Sequence, residues 1–335
     1  MVEERRRATI VFAHDWGADG AQANVEHQIK TIGRSLNAEL EVTTVPGIPP
    51  LGSPLIAAIE FDRVIDTHRI TLELCARKLE AKGLSKDEIE KKLSNLVLIN
   101  VFDRGVGSER VAAIVEGKLK IKGADGDYLI SVALVGPLNN GIIGALVKRL
   151  DSVTAFDLAN AKHHVDDLGC VTWDGRTKFG PVAALYASGT AASEFGKPVD
   201  VSAHPRIAFE PIYTGDSVSV PLVDIDPIGN LVLGLRNGEA NKLLEAPFLA
   251  LSVAGRTILT KTGHKFSDVG EGELIAYRGS NGLLEIAINN GDLARQLNLS
   301  REQGHLELIV AAKVLQPATV FELQPVSEAQ AREVA

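Results

Sequence analysis

Cysteine is nearly absent. Cys75 and Cys170 are the two in 335 residues, far apart and in unrelated surroundings. That spacing fits neither a disulfide framework nor a thiolate metal site, so both are read as core residues. Long apolar runs are missing too. The charged residues after Met1 lead straight into the strand-like "ATIVFA", with no segment of signal or membrane type, so a cytoplasmic protein with no membrane partner is expected. Concentrated positive charge is also scarce. Lys and Arg number 35 against 43 Asp and Glu, for a net charge of -8, and clusters such as "EERRRA" are short and diluted by acids. A nucleic-acid partner is therefore not expected. Internal repeats and low-complexity tracts are lacking as well. The chain does have 45% hydrophobic residues, enough at this length to bury a sizeable core and to form two domains.

The first half alternates short β-branched runs with helix-like stretches: "ATIVFA", "ANVEHQIKTIGRSL", "ELEVTTV", "NLVLINVF", "DYLISVALVG", "GIIGALVKRL". This is the pattern of an α/β domain with a largely parallel sheet, expected over residues 1–190. Residues 70–93 read as a helical hairpin, with Gly83 ending one helix and "SKDE" opening the next as a capping box, Ser85 with Glu88. "ASGTAASEFGKPVDVSAHP", 187–205, is rich in small residues and reads as an inter-domain linker. Beyond it, over about 200–325, "SVSVPLVDIDPIGNLVLGL", "FLALSVAG", "GELIAYRG" and "GLLEIAIN" are strand-like runs divided by Gly, Asn and Asp, which predicts a smaller, mostly antiparallel β domain.

Ligand loops in such an α/β domain follow the carboxyl ends of the strands, where "HDWGADG" and "DRGVGSER" both fall. In the first, Asp15 either accepts hydrogen bonds from a ribose diol or caps the next helix. In the second, the glycines let the chain bend so that Asp103 and Arg110 face one small space, as a site or as a structural ion pair at a turn. "DIDPIGN" and "RGSNGLLEIAINNGD" are ligand loops or hairpin turns. "HHVDD", 163–167, is not a metal site, because adjacent histidines diverge on regular backbone and no second ligand cluster accompanies them. "GADGDY", 123–128, lacks the spacing of a phosphate or calcium loop and is read as a turn.

Taken in order, "HDWGADG", "GIPPLGSP", "FDRGVGSERVAAIV", "VGPLNNGIIGAL", "VTWDGRTKFGPVAALYASG", "DPIGNLVLGL" and "GSNGLLEIAINNGDLA" resemble the S-adenosylmethionine (SAM) hydroxide adenosyltransferases, or SAM hydrolases, the family that includes the fluorinase and chlorinase. The resemblance spans nearly the whole chain. It implies an N-terminal α/β domain, a C-terminal β-barrel-like domain, and a homotrimer with SAM bound between one subunit's first domain and its neighbour's second. It further implies SN2 attack at the ribose C5′ carbon with methionine leaving. SAM is then a substrate, and no cofactor or metal is expected. Residue by residue, Asp103 and Arg110 match the pair that orients water, and a retained Asp103 favours water over halide. Asp15 matches the ribose aspartate, and Trp173 the aromatic against the substrate. Asp226 and Asn230 match the positions for the methionine ammonium and the adenine. Ser280 and Asn281 match the loop around the methionine carboxylate.

The chain departs from that pattern at named places. Asp174 stands where the hydrolases carry a histidine, so two carboxylates near one water require a shared proton or a nearby cation for Asp174 to act as base. Arg104 replaces a proline, Ile228 replaces an aromatic, and the acid after "HDWG" is shifted to Asp19. Three readings follow: a SAM hydrolase, a divergent SAM- or nucleoside-dependent enzyme with another nucleophile or substrate, and a non-catalytic SAM- or adenosine-binding protein.

Overall fold

The structure is a computed structural model. It describes residues 6–14, 20–45, 54–102, 111–165, 174–253, 255–280, 282–299 and 309–315. The chain divides into two units, Met1–Ala208 and Phe209–Ala335.

In the first unit the elements run β1 (Arg6–His14), α1 (Gly20–Ser35), β2 (Ala38–Thr44), α2 (Pro54–Glu80), α3 (Lys86–Lys92), β3 (Asn95–Val101), β4 (Ala112–Lys122), β5 (Asp127–Pro137), α4 (Ile142–Leu146), β6 (Asp151–Asp157) and α5 (Gly180–Ser188). The strands form one sheet in the order β2-β1-β3-β5-β4-β6. β2, β1, β3 and β5 are parallel, and β4 is antiparallel to β5 and to β6. The apolar runs become strands buried on both faces, and all six residues from Leu96 to Val101 are buried. Phe12, Val25, Ile29, Ile99, Phe179 and Val182 share one core between the sheet and the helices α1 and α5. Each such side chain contributes about 1.5–3 kcal/mol by leaving water. From β1 the chain moves to β2 on one side and then returns to β3 on the other. The carboxyl ends of β1 and β3 therefore flank the point where the strand order reverses.

The helical hairpin starts earlier than 70, because α2 runs from Pro54 and buries Leu55, Ile59, Ile65, Leu72 and Ala76 on one face. It stops at Gly83, whose φ is +77° and whose N–H donates to Glu80 O at 2.7 Å. Ser85 and Glu88 form the expected capping box for α3. Two readings are corrected. Cys75 is exposed, since the helix turns its Leu72 and Ala76 face inward instead. Residues 187–205 are not a free linker: Ala187, Ala192 and Phe195 pack into the first unit's core.

The second unit runs β7 (Ile212–Thr214), β8 (Ser217–Ile225), β9 (Leu231–Arg236), α6 (Asn241–Leu244), β10 (Phe248–Val253), β11 (Arg256–Thr262), β12 (Leu274–Arg278), β13 (Leu283–Ile288), α7 (Leu293–Gln296) and β14 (Ile309–Leu315). Its sheet has the order β14-β10-β11-β12-β13-β9-β8-β7, and β14 also pairs with β8, so the sheet curls round as a barrel-like wall. The pairings are antiparallel except β11 with β12. Val218, Val220, Leu222, Leu233, Leu249 and Ile286 fill the inside. Among the described residues no helix is long and apolar enough to cross a membrane.

Candidate active site

In the first unit the candidate residues Asp15 and Asp103 follow strand ends in the sequence. β1 delivers His14, buried to 9% exposure, with its ring tilted against Phe12 at a centroid separation of 5.1 Å. β3 delivers Phe102. Asp15, which follows His14, and Asp103 and Arg110, which follow Phe102, lie outside the described residues, as does Trp173. What the structure does show is how the exit of β3 is held. Asn100 Oδ1 accepts from Phe102 N–H at 3.1 Å, Asn140 Nδ2 donates to Phe102 O at 2.7 Å, and Asn140 Oδ1 accepts from Ile142 N–H at 3.1 Å. Asn140 of the "GPLNNG" block thus holds Phe102, the last described residue before "DRGVGSER". Gly136 lies alongside with φ +152°, and a Cβ there would come within 2.4 Å of Asn100 O. Neither asparagine was singled out from sequence, where "VGPLNNGIIGAL" served only as one of the blocks that carry the family resemblance.

Asp174 precedes a π-helical turn, Gly175–Phe179, a widened form of backbone that recurs at functional sites. Its side chain is 13% exposed and pairs with Lys178 Nζ at 3.0 Å. Lys178 thus lays a cation beside Asp174, and the i,i+4 spacing makes that pair readable from the sequence. The strap before it is tied to the same turn by Val165 N–H donating to Thr177 O at 2.9 Å. On that strap, burial and then the charge of Lys178 hold the His164 imidazole below the ordinary histidine range. His163 packs edge-on against Phe195 at 4.9 Å. Among the described residues no three His, Cys, Asp or Glu side chains gather as a metal cluster.

In the second unit, "DPIGN" closes the turn between β8 and β9. Asp226 Oδ1 accepts from the N–H groups of Ile228 and Asn230, both at 2.9 Å, and Oδ2 accepts from Asn230 Nδ2 at 2.8 Å. The stretch is therefore a hairpin turn held by the Asp226 carboxylate. Asn230 is 2% exposed, and among the described residues its Oδ1 has no hydrogen-bond partner. Ile228, at the tip, is 62% exposed. A cavity of about 400 Å³ opens beside the turn, lined by Asp226, Pro227, Gly229, Asp292, Arg295 and Leu299. Ser280 is exposed on the turn between β12 and β13, and Asn281 lies outside the described residues. The structure joins Asp226 to Asn230, while Ser280 sits on a separate turn beside the far end of β9.

Such a chain, an α/β unit whose strand order reverses at β1 and β3 followed by a curled β unit, has relatives of known sequence and structure. Residues 221–304 match the SAM hydroxide adenosyltransferase C-terminal domain. The (R)-S-adenosyl-L-methionine hydrolase of Salinispora tropica is 30% identical over 206 residues, covering 61% of this chain and 71% of that protein. The protein of the same name from Thermus thermophilus is 27% identical over 203 residues, covering 61% and 72%. An uncharacterized conserved protein from Thermotoga maritima shares the fold, with a TM-score of 0.65 at 19% identity over 91% of this chain and 99% of that one. The chain belongs to the SAM hydroxide adenosyltransferase family.

Proposed function

We propose that the protein hydrolyses SAM to adenosine and L-methionine. The observation that carries this is the 30% identity to the Salinispora tropica (R)-S-adenosyl-L-methionine hydrolase across 71% of that protein. The chemistry suits a site with few parts. A water oxygen forms a bond to C5′ as the C5′–S bond breaks, and the electron pair goes to sulfur, which becomes a neutral thioether. One proton leaves the water, passing by way of the Asp103 carboxylate to solvent. The sulfonium needs no acid to depart, so the protein's task is to orient a partly desolvated nucleophile. In this reading Asp103 accepts the water's hydrogen bond and Arg110 keeps that carboxylate charged. Asp174, beside Lys178, takes the family's third position. Asp15 holds the ribose diol and Trp173 lies against the substrate. Asp226 meets the ammonium, Asn230 the adenine, and Ser280 and Asn281 the methionine carboxylate. The active assembly is a homotrimer with each site shared between two subunits. The test is incubation of purified protein with SAM, with and without chloride or fluoride. Equal yields of adenosine and methionine, independent of halide, are expected; a halogenated nucleoside, or unchanged SAM, overturns the proposal.

A further inference from the structure

One buried carboxylate in the second unit has no part in the site described so far. Glu285 lies on β13 at 8% exposure, on the outer face of the barrel wall, where Val269, Ile275, Tyr277 and Ala287 form a small apolar cluster. A carboxylate in such a place needs partners. Its cross-strand neighbour on β12 is Tyr277, whose hydroxyl donates to Glu285 Oε2. Burial, then that hydrogen bond, raises the phenol well above its ordinary value, and the charge of Asp226 adds to the shift. The other oxygen, Oε1, faces the turn that carries Ser280: a Cβ on Gly279 would stand 2.2 Å from it. The same turn is closed by Gly279 N–H donating to Leu283 O at 2.9 Å and Gly282 N–H donating to Gly279 O at 3.1 Å. From the far side, Asn237 Nδ2 donates to Gly279 O at 2.9 Å, and Asn237 N–H donates to Gly282 O at 3.0 Å. The turn is gripped between Asn237 at the end of β9 and Glu285 beneath it.

We propose that Glu285 and Tyr277 are positioning residues for substrate: hydrogen-bonded across the β12–β13 ladder and pressed against Gly279, they set the height at which Ser280 meets the amino-acid end of SAM. This rests on the reading of SAM as substrate. Tyr277→Phe removes the bond that orients the carboxylate, and Gly279→Ala displaces the turn without touching a charge. Each should raise KM for SAM roughly tenfold or more, the size expected when hydrogen bonds to a charged group are lost, with kcat held within about twofold. Glu285→Gln keeps an acceptor for the phenol and should show a smaller rise. By calorimetry, L-methionine should bind more weakly to the first two variants, while adenosine, assigned to Asn230 and Asp15 and not to Ser280, binds as to the parent. Folded variants with unchanged KM and methionine affinity, or with adenosine affinity falling in step, overturn the proposal. A parent that neither binds nor turns over SAM sinks the substrate reading and the pair's role with it; a competent parent with indifferent variants sinks the pair alone.

Discussion

Asp174 and Lys178 are one helical turn apart and 3.0 Å in contact, so the Asp174 carboxylate does not stand alone. If Asp103 is the group that accepts the water's hydrogen bond, Asp103→Asn preserves shape while removing charge. Turnover should then fall about a hundredfold or more, the scale of general-base catalysis, with SAM affinity and melting temperature near the parent's. A variant with the parent's kcat and a lower melting temperature would show that the Asp103–Arg110 bend is structural. Asp174→His belongs beside it. Restoring the imidazole should raise SAM hydrolysis if Asp174 is a weaker base in the same role. Loss of all turnover would instead mark Asp174, with Lys178, as specialised for different chemistry.

Elements formed by short-range spacing were legible in the sequence; contacts made across distance were not. The Ser85–Glu88 box and the Gly83 stop appear where spacing placed them, because capping is decided within a few residues. Cys75 was misplaced because which face of α2 turns inward depends on what packs against it. Residues 187–205 looked like linker because small residues signal loops locally, and nothing local shows that Phe195 joins the first unit's core. In the second unit, Asp226 and Asn230 were readable as a turn, whereas the Tyr277–Glu285 pair was missed. Counting outward from a three-residue turn, 280–282, sets Tyr277 opposite Glu285, whereas counting from all four residues of "GSNG" sets it opposite Leu284. The "GADGDY" turn was recognised, but its clamp was not. Glu80, at the end of α2, accepts from Ala124 N–H at 2.8 Å and from the Tyr128 hydroxyl at 2.7 Å. The Ala124 amide first, then the Tyr128 phenol, lower the Glu80 carboxyl below its ordinary 4.5, and the same pairing pushes Tyr128 up to about 12. A depressed carboxyl contributes stability above its unfolded value and loses it as pH falls through the folded one. Amide exchange at Ala124 and Asp125 should therefore speed up, relative to intrinsic rates, as pH drops below about 4.5. In Glu80→Gln that pH dependence should vanish; a hairpin whose protection is flat with pH in the parent would remove Glu80 as its clamp.

At the scale of the whole molecule, the first unit offers loops at a strand-order reversal and the second offers turns at the two ends of β9, and the proposed assembly joins these from different subunits. Complementation tests that arrangement without relying on shape. Asp103→Asn disables the first unit's part. Asp226→Asn removes the charge proposed to meet the ammonium while leaving Oδ1 to accept from the Ile228 and Asn230 amides; the Asn230 side chain can turn its Oδ1 toward the new amide. Each variant alone should be nearly inactive. If each site takes its first unit from one subunit and its second from the next, a mixed trimer contains one site in which both parts are intact. Unfolding and refolding the two variants together should then restore a fraction of the parent's turnover, while mixing them without exchange restores none. Solution scattering on the parent should give the mass of three chains of 35.7 kDa. A monomeric mass at micromolar concentration, or a mixture that stays inactive after exchange although each variant folds, would place the complete site within a single chain and end the trimer proposal.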